Sequence, residues 1–164
     1  MTFVFTTLLL TISMFNSTTY NVNGLNKQHK GIAIFNFLKE TLKAGIYLLQ
    51  ETHSTPADVQ KWYLDWGNKN ILFDHGLSNA RGTAILFHNI NYEKLSEYSS
   101  GDGRLQITAL NIIDINKKVL LINIYNPNTE KDQVILLKKL ENKLSDFPNI
   151  LDFEIICGGI LTAP

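Results

Sequence analysis

Polar side chains follow three apolar runs of the sequence, at the points where strands would end. The segments are 21–25 (Asn-Val-Asn-Gly-Leu), 49–53 (Leu-Gln-Glu-Thr-His) and 123–128 (Asn-Ile-Tyr-Asn-Pro-Asn). Their carboxylate, amide and phenol groups can carry a charge or exchange hydrogen bonds with a bound group. Strand ends of layered sheets are common places for binding and catalytic sites, because rigid strands fix the side chains there. The pattern therefore predicts a site assembled from three strand ends.

Each of these residues also has a plainer interpretation when it is taken alone. A single glutamate after an apolar strand, such as Glu51, is usually solvated, and a tyrosine such as Tyr125 usually packs by its ring. His53 is interpreted as structural or solvent-facing rather than as a metal ligand. Cys157 lies within an apolar run and is expected to be a buried, unreactive thiol. The remaining histidines lack the spacing of a metal site and are interpreted as surface or hydrogen-bonded residues, namely His29, His75 and His88.

The elements that would position these segments are a mixture of strands and helices. Apolar runs bounded by turn residues predict strands at 18–22, 46–50, 71–73, 83–87, 105–113, 119–125 and 153–157, with a hairpin connection at 114–118. Thr55 followed by Pro56 predicts a helix start. Helical spacing predicts helices at 30–43, ending near Gly45, and at 131–144, with one apolar side formed by Val134, Leu137, Leu140 and Leu144. This mixture favours a layered α/β domain.

The composition is that of one globular domain without an excess of charge. Of 164 residues, 45% are hydrophobic and 18% are charged, and 15 Lys plus Arg balance 15 Asp plus Glu. Zero net charge argues against a generally basic nucleic-acid binder but does not exclude a local basic patch. Lys138, Lys139 and Lys143 are interpreted as the solvated face of a helix rather than as such a patch. The single cysteine excludes an internal disulfide and favours a reducing compartment.

The first 17 residues are interpreted as an apolar lead-in, separate from a domain at 18–164. The run 3–15 is too short to span a membrane, and its threonine, isoleucine and phenylalanine suit a strand. A cleaved secretion signal is the alternative, although no lysine or arginine precedes Lys27. The sequon Asn16-Ser17-Thr18 would matter only in that case. We therefore expect a nuclear or cytoplasmic protein without a membrane span.

Two further segments extend the series of strand-end motifs. Arg81-Gly82-Thr83-Ala84-Ile85-Leu86 resembles a glycine-led central strand, and Gly103-Arg104 precedes another strand. With Gln50-Glu51-Thr52-His53 and Asn123-Ile124-Tyr125-Asn126-Pro127-Asn128, these make the chain from about Asn21 onward similar to the N-terminal part of an endonuclease/exonuclease/phosphatase domain. The resemblance is to the apurinic-endonuclease-like branch of LINE-type non-LTR retrotransposons. It implies an α/β fold, a layered β-sandwich flanked by helices, incomplete at the C-terminus.

The resemblance also implies a divalent-metal-dependent phosphodiester hydrolase that acts on nucleic acid, with DNA favoured. Glu51 and Asn21 match the family positions that hold Mg²⁺ or Mn²⁺, and Mg²⁺ typically takes one or two carboxylates and keeps several waters. Asn21, Glu51 and Tyr125 match its catalytic positions, with the Tyr125 phenol facing the phosphate. The positions expected to bind substrate are Asn23, Arg104 and Asn128.

The resemblance fails after Cys157, where the family normally has Gly-Asp-Phe-Asn. Here Gly158-Gly159 is followed by Ile160-Leu161-Thr162, and isoleucine can neither bind a metal nor orient a water. The later family motifs, including Ser-Asp-His, have no counterpart in the sequence. Losing one member of such a set typically costs ~10³–10⁶ in rate, so we expect impaired catalysis.

The same departure predicts a gap in the fold. In the family the second sheet comes largely from the later half, so the inner face of the first sheet is expected to be uncovered and to favour self-association. The alternatives to an impaired nuclease are a non-catalytic module that binds nucleic acid or protein, and a small secreted protein. The nuclease hypothesis predicts weak Mg²⁺ binding without turnover, whereas the binding module predicts salt-dependent affinity for DNA or RNA.

Overall fold

The strands of the domain form two sheets that pack face to face. The computed structural model describes residues 9–12, 15–25, 27–43, 45–77 and 79–160. In chain order the described elements are β1 (Leu9–Ile12), β2 (Phe15–Asn21), α1 (Gln28–Asn36) with a π-helical turn (Phe37–Leu42), β3 (Ile46–Gln50), a 3₁₀ turn (Pro56–Asp58) leading into α2 (Val59–Trp66), β4 (Ile71–Asp74), β5 (Thr83–Phe87), β6 (Tyr92–Ser99), β7 (Leu105–Ile112), a 3₁₀ turn (Ile113–Ile115), β8 (Lys117–Tyr125), α3 (Glu130–Ser145), a 3₁₀ turn (Ile150–Asp152) and β9 (Glu154–Ile160).

Each sheet contains one parallel pair of strands. The first sheet has the order β1-β2-β3-β5-β4, in which β2 and β3 are parallel and the other neighbours antiparallel. The second has the order β6-β7-β8-β9, in which β8 and β9 are parallel. Parallel strands end at the same edge of their sheet, so the carboxyl ends of β2 and β3 lie side by side, as do those of β8 and β9.

The core has three layers, which place a helix on the outside of each sheet. Phe35, Trp62 and Trp66 of α1 and α2 pack on the outer face of the first sheet, and Leu136 of α3 packs on the outer face of the second. The layer between the sheets is formed by residues of both, namely Ile46, Leu48, Ile85, Phe87, Leu110, Ile112, Val119, Leu121 and Ile156. The order is therefore helix, sheet, sheet, helix, which confirms the predicted layered α/β sandwich.

The expectation of an uncovered inner sheet face is wrong. Ile46, Leu48, Ile85 and Phe87 of the first sheet are fully buried against the second. The second sheet is built from β6 to β9, all within this chain. Burial of this face removes the apolar surface on which the predicted self-association depended.

Most predicted elements are present, and the exceptions have identifiable causes. The first long helix ends at Lys43, which itself takes the left-handed conformation (φ 49°), rather than near Gly45. In α3 the side facing the sheet is the i, i+4, i+8 row Leu136, Leu140 and Leu144, while Val134 and Leu137 are exposed. Both rows have helical spacing, so the sequence alone could not select between them.

Two strands of the second sheet also differ from the prediction. β6 was not predicted, because it is an edge strand whose charged and polar side chains face solvent. The predicted last strand exists as β9, but Ile155 and Cys157 are exposed on its outer side while Ile156 is buried. β9 is an edge strand with one covered face, so its apolar run alternates between buried and exposed positions.

The N-terminal boundary is crossed by a strand. β2 begins at Phe15 and pairs with β1, so strand pairing extends on both sides of residue 17. Residues 1–8, 13 and 14, part of the predicted lead-in, lie outside the described residues, and the division after residue 17 stays a prediction. Among the helices that the structure describes, none combines the length and the apolar character needed to cross a membrane.

Candidate functional site

The three predicted strand ends meet at one end of the sandwich. Asn21 at the end of β2 is paired with Gln50 at the end of β3. Across the two sheets, the Gln50 side-chain amide donates to Asn123 Oδ1 of β8 at 2.7 Å. The Tyr125 backbone, two residues further along β8, donates to the Arg104 carbonyl at 2.8 Å. Gln50 and Asn123 are 73 residues apart in the chain, and only the packing of the two sheets brings them together.

Five half-buried side chains form the rim of the site: Glu51, Arg81, Asp102, Arg104 and Tyr125. The Tyr125 hydroxyl lies near the Glu51 carboxylate, whose negative charge acts on the phenol. The Arg104 guanidinium lies 5.5 Å from the centre of the Tyr125 ring, within cation–π range. Asp102 lies 3.8 Å from Arg81 and 4.0 Å from Arg104, so one carboxylate is shared by two cations. The rim therefore has incompletely paired positive charge beside a phenol and a carboxylate.

The electrostatics of the rim keep Tyr125 protonated. Burial, together with the interaction with the nearby Glu51 carboxylate, raises the pKa of Tyr125 to about 12, against the lowering effect of Arg104 and Arg81. Burial and the charge of Arg81 lower the pKa of Arg104. At neutral pH the phenol is therefore a hydrogen-bond donor, and the guanidinium is still a cation because its ordinary pKa is far above 7.

Glu51 is held in an unusual backbone conformation. Its φ is 53° and that of His53 is 55°, values that non-glycine residues seldom adopt. The loop is pinned on one side by the Gly24 amide, which donates to the Glu51 carbonyl at 2.6 Å. On the other side the Thr52 and His53 amides donate to the carbonyls of residues 82 and 81 at 3.0 and 2.9 Å. Such strain persists only where surrounding contacts determine the conformation, and it is common at functional sites.

Two glycines allow the loops of the rim to approach each other. A Cβ at Gly82 would lie 2.4 Å from Thr52 Oγ1, and one at Gly103 would lie 2.4 Å from the Gly82 nitrogen. Both glycines also have positive φ, and the Gly82 amide donates to the Gly103 carbonyl at 3.1 Å. The glycines that precede β5 and β7 in the sequence motifs are therefore required for the backbones carrying Arg81 and Arg104 to lie beside the Glu51 loop.

Below the rim lies a buried polar layer between the sheets, which we call the floor: Gln50, Thr83, Gln106, Thr108 and Asn123. Asn123 Nδ2 donates to the carbonyls of Leu49 and Ala84, both at 3.1 Å. Gln50 Nε2 also donates to the Leu48 carbonyl at 2.9 Å. The other three floor residues make no side-chain hydrogen bond with any described residue. The floor thus contains two residues whose side chains are hydrogen-bonded, Gln50 and Asn123, beside three buried polar side chains without hydrogen bonds to described residues.

A cleft of about 220 Å³ opens beside the rim. Three cationic side chains line it, Arg81, Arg104 and Lys139, together with the carboxylates of Asp102 and Asp132. Lys139 belongs to the lysines interpreted from the sequence as a solvated face, and the structure places it at this cleft. Three cations against two anions leave the cleft with a positive balance in a protein whose net charge is zero.

The predicted substrate-binding amides lie at the edges of this arrangement. The exposed Asn23 donates its backbone amide to Asn21 Oδ1 at 3.0 Å, and its carbonyl accepts from Lys30 Nζ at 2.6 Å. Asn128 is exposed in the loop between β8 and α3. The structure thus brings Asn21, Glu51, Arg104 and Tyr125 to one sheet end, with Asn23 beside Asn21 and Asn128 further out.

Some functional candidates were missed and one interpretation was wrong. Arg81, Gln50 and Asn123 stood inside the recognised motifs but received no role, because nothing in the sequence shows which motif side chains turn toward the site. His75 is hydrogen-bonded to Ser54 at 3.0 Å, as expected of a structural histidine. Cys157, expected to be buried, is exposed on the outer side of β9.

The donor set of the site suits a hard divalent cation. Glu51 supplies a carboxylate and Asn21 an amide oxygen at the ends of adjacent strands. Mg²⁺ and Mn²⁺ accept such oxygen ligands, and Mg²⁺ usually takes only one or two carboxylates. In the part of the chain that the structure describes, no group of three or more His, Cys, Asp or Glu side chains could hold a metal. The residues therefore fit Mg²⁺ or Mn²⁺ with few protein ligands.

The position of the missing aspartate lies in the same region. Ile160, which stands where the resembling family has that residue, pairs with Tyr125 in the parallel ladder between β8 and β9. Leu161 and Thr162 lie outside the described residues. The substitution therefore falls beside the rim in the backbone ladder, not in a distant loop.

Comparison with known proteins agrees with this architecture. No family model matches the chain. The transposon TX1 uncharacterized 149 kDa protein of Xenopus laevis is 27% identical over 143 residues, which are 87% of this chain and 10% of that protein.

Among solved structures, an endonuclease/exonuclease/phosphatase family protein from Bacteroides thetaiotaomicron matches with a TM-score of 0.58 and 12% identity, over 96% of this chain and 64% of that one. The endonuclease domain of TRAS1, a telomere-specific non-LTR retrotransposon, matches with a TM-score of 0.52 and 16% identity, over 87% and 57%. D. rerio TDP2 complexed with single strand DNA product gives 0.58 and 19%, over 87% and 58%.

These likenesses identify the class of the fold. The chain has the endonuclease/exonuclease/phosphatase fold, and it spans less than two thirds of each of these structural neighbours. One relative is a transposon protein and one structural neighbour is a retrotransposon endonuclease domain, which agrees with the branch that the sequence motifs resemble.

Proposed function

We propose that this domain contains a nuclease-type site that binds a divalent cation and a nucleic-acid phosphate but hydrolyses the phosphodiester poorly. The observation that carries the proposal is the position of Arg104 over the Tyr125 ring, beside the Glu51 carboxylate and at the edge of a cleft lined by three cationic side chains. A carboxylate for a cation, a phenol donor and a guanidinium within one rim are suited to a phosphodiester more than to an uncharged substrate.

The roles of the individual residues follow from their chemistry. Glu51 and Asn21 would hold Mg²⁺ or Mn²⁺, which when bound polarises the phosphoryl oxygens. Tyr125 would donate its proton in a hydrogen bond to negative charge that develops on the phosphate, and its raised pKa keeps that proton in place at neutral pH. Arg104 would form a charge-assisted hydrogen bond with a phosphate oxygen, and Asn23 and Asn128 would contact the flanking strand from the edges of the site.

Nucleic acid is the proposed partner, with DNA favoured. The positive cleft of Arg81, Arg104 and Lys139 offers a path for a phosphate backbone next to the Glu51–Tyr125 pair. The TDP2 neighbour with a single-strand DNA product supports such a partner for this fold. A nucleic-acid partner and a single cysteine favour a nuclear or cytoplasmic location.

Impaired turnover is proposed because of residue 160. An isoleucine offers no oxygen to a metal or to the attacking water, and it stands beside Tyr125 in the ladder. Members of a catalytic set do not act additively, so loss of one costs ~10³–10⁶ in rate. The alternative function is a non-catalytic nucleic-acid-binding module, which the same positive cleft supports. It differs from the impaired nuclease in needing neither Glu51 nor a metal.

Nicking of supercoiled plasmid in Mg²⁺ or Mn²⁺ tests the catalytic part of the proposal. We expect no nicking by the natural chain above a Glu51→Ala control. Any nicking that an Ile160→Asp variant gains should be abolished by a second substitution, Glu51→Ala. Glu51-dependent nicking by the natural chain would show that the proposed impairment is wrong.

Binding of a fluorescent single-stranded oligonucleotide at several salt concentrations tests the substrate. Arg81→Ala and Arg104→Ala should weaken affinity and flatten its salt dependence, because each removes a phosphate contact. Lys117→Ala, at the start of β8 and paired with Glu154, is the matched control and should leave affinity unchanged. Equal losses in all three variants would point to nonspecific attraction and contradict the proposed cleft.

A further inference from the structure

One pair of buried amides connects the two halves of the site. Asn123 of the second sheet uses its whole amide on the first sheet: Nδ2 donates to the carbonyls of Leu49 and Ala84, and Oδ1 accepts from Gln50. Both amides are essentially inaccessible to solvent, at 0% and 1% exposure. These contacts span 39 to 74 residues of sequence.

The pair stands next to the reacting side chains on both strands. Gln50 immediately precedes Glu51 on β3, and Asn123 precedes Tyr125 by two residues on β8. Residues two apart on a strand share a face, so Asn123 and Tyr125 point toward the same side of the second sheet. Tyr125 and Glu51 lie near each other between the same two sheets, one step nearer to the rim.

We propose that Asn123, acting through Gln50, is a positioning residue that sets how closely the Tyr125 hydroxyl approaches the Glu51 carboxylate. The hydrogen bonds of Asn123 fix the offset between β8 and β3 along the strand direction. This offset determines how closely the Tyr125 hydroxyl approaches the Glu51 carboxylate. The inference rests on the proposed function in taking Tyr125 and Glu51 as the side chains that act on a phosphate.

A general role in holding the sheets together would look different from a positioning role. A merely structural amide contributes to the free energy of unfolding without changing the interaction between two other side chains. A positioning residue changes that interaction. The two roles are therefore separated by the coupling between Glu51 and Tyr125, not by stability alone.

The experiment is a double-mutant cycle of Glu51→Gln and Tyr125→Phe, measured by urea unfolding of the full chain in three backgrounds. In the natural background we expect a coupling of roughly tenfold in the unfolding equilibrium constant, as for a phenol that interacts with a charged carboxylate. In an Asn123→Leu background the coupling should fall to about twofold or less. In a Gln106→Leu background, where an equally buried amide without partners is removed, it should stay roughly tenfold.

A milder variant covers the case in which Asn123→Leu does not fold. Gln50→Met removes the bond between the two amides but leaves the two bonds of Asn123 to backbone carbonyls, and it should reduce the coupling in the same direction. Unchanged coupling in the variant that folds, or no coupling in the natural background, would overturn the proposal. The cycle uses neither metal nor nucleic acid, so its failure is distinguishable from a failure of metal binding or nicking.

Discussion

The floor and the rim of the site are built from opposite kinds of interaction. The floor is neutral and fully buried. Two of its residues, Asn123 and Gln50, make hydrogen bonds between the sheets. The rim is charged and half-exposed, and its ion pairs from Asp102 to Arg81 and Arg104 are long, at 3.8 and 4.0 Å.

From this difference we expect the floor to contribute mainly to the stability of the fold and the rim to contribute mainly to ligand binding. A hydrogen bond in a dry layer leaves its partner unsatisfied when it is broken, which is expensive. Long ion pairs in contact with water contribute little to folding. Charges that are loosely paired in the free protein remain available for a phosphate. Variants in the two regions should therefore separate effects on folding from effects on binding.

The largest expected effect is that of Asn123→Leu. It removes three hydrogen bonds and should lower the free energy of unfolding by about 3 kcal/mol, at about 1 kcal/mol for each bond. Chemical denaturation measures the change. Gln106, its partner across the β7–β8 ladder, is buried to the same degree but makes no hydrogen bond with a described residue. Gln106→Leu should be neutral or stabilising, and equal losses in both variants would break the contrast within the floor.

A smaller loss is expected where the backbones beneath the rim touch. Gly82→Ala places a Cβ 2.4 Å from Thr52 Oγ1 at a φ of 91°, and we expect a loss of about 2 kcal/mol. Gly101→Ala is the control, because its φ is 77° but no described atom lies within 4 Å of the added Cβ. It should cost about 1 kcal/mol from backbone strain alone. Thermal unfolding of both variants gives the comparison, and an equal cost would mean that the close approach at Gly82 relaxes freely.

The rim should make the free energy of unfolding depend on pH in the alkaline range. The pKa of Tyr125 is about 12 in the folded protein and near 10 in the unfolded chain. Between these values the unfolded chain loses the proton first, so the contribution is complete below pH 10 and is lost as pH rises toward 12. Because the side chain is half-exposed, we expect roughly 1 kcal/mol after allowance for solvent screening. Measuring the free energy of unfolding of the natural chain and of Tyr125→Phe across this pH range isolates the contribution of Tyr125. Identical pH profiles would contradict the raised pKa.

The smallest effect on folding is expected for Asp102→Asn. Its two ion pairs are long and reach solvent, and an asparagine oxygen can still accept the hydrogen bond from the Ser100 hydroxyl, so stability should change by no more than about 0.5 kcal/mol. The same change leaves Arg81 and Arg104 without their shared anion and should strengthen oligonucleotide affinity severalfold at low salt. Asp146→Asn, in an exposed pair with Lys143, is the control and should alter neither quantity. A loss of stability comparable to that of Asn123→Leu would remove the distinction between floor and rim.

Much of the fold could be predicted because local patterns decided it. The continuous apolar run of β3 is buried on both faces, as predicted for a covered strand. The capping box of Thr55 and Asp58 begins the helix that Thr55-Pro56 predicted. β6 escaped prediction because an exposed edge strand lacks an apolar pattern, and the inner face of α3 was misassigned because two rows of leucines fit one helix.

The candidate site could be predicted only in part. Glu51, Tyr125 and Arg104 were found because their motifs resemble a known family, and the structure brings them together. Their roles and the roles of Asn21, Asn23 and Asn128 stay predictions. Arg81 and Asn123 received no role, and Lys139 was interpreted as part of a solvated face, since their importance depends on neighbours supplied by other strands and by α3.

The sequence by itself determined most of the elements and the identity of the polar residues at their ends, because helical period, strand length and turn chemistry are local properties of the chain. It also determined that residue 160 is an isoleucine. Only the tertiary structure decided which polar groups share a partner. Asn123 and Gln106 are both amides on neighbouring strands, yet only one reaches the carbonyls of the opposite sheet. That outcome depends on how two sheets are offset against each other, which no local pattern records.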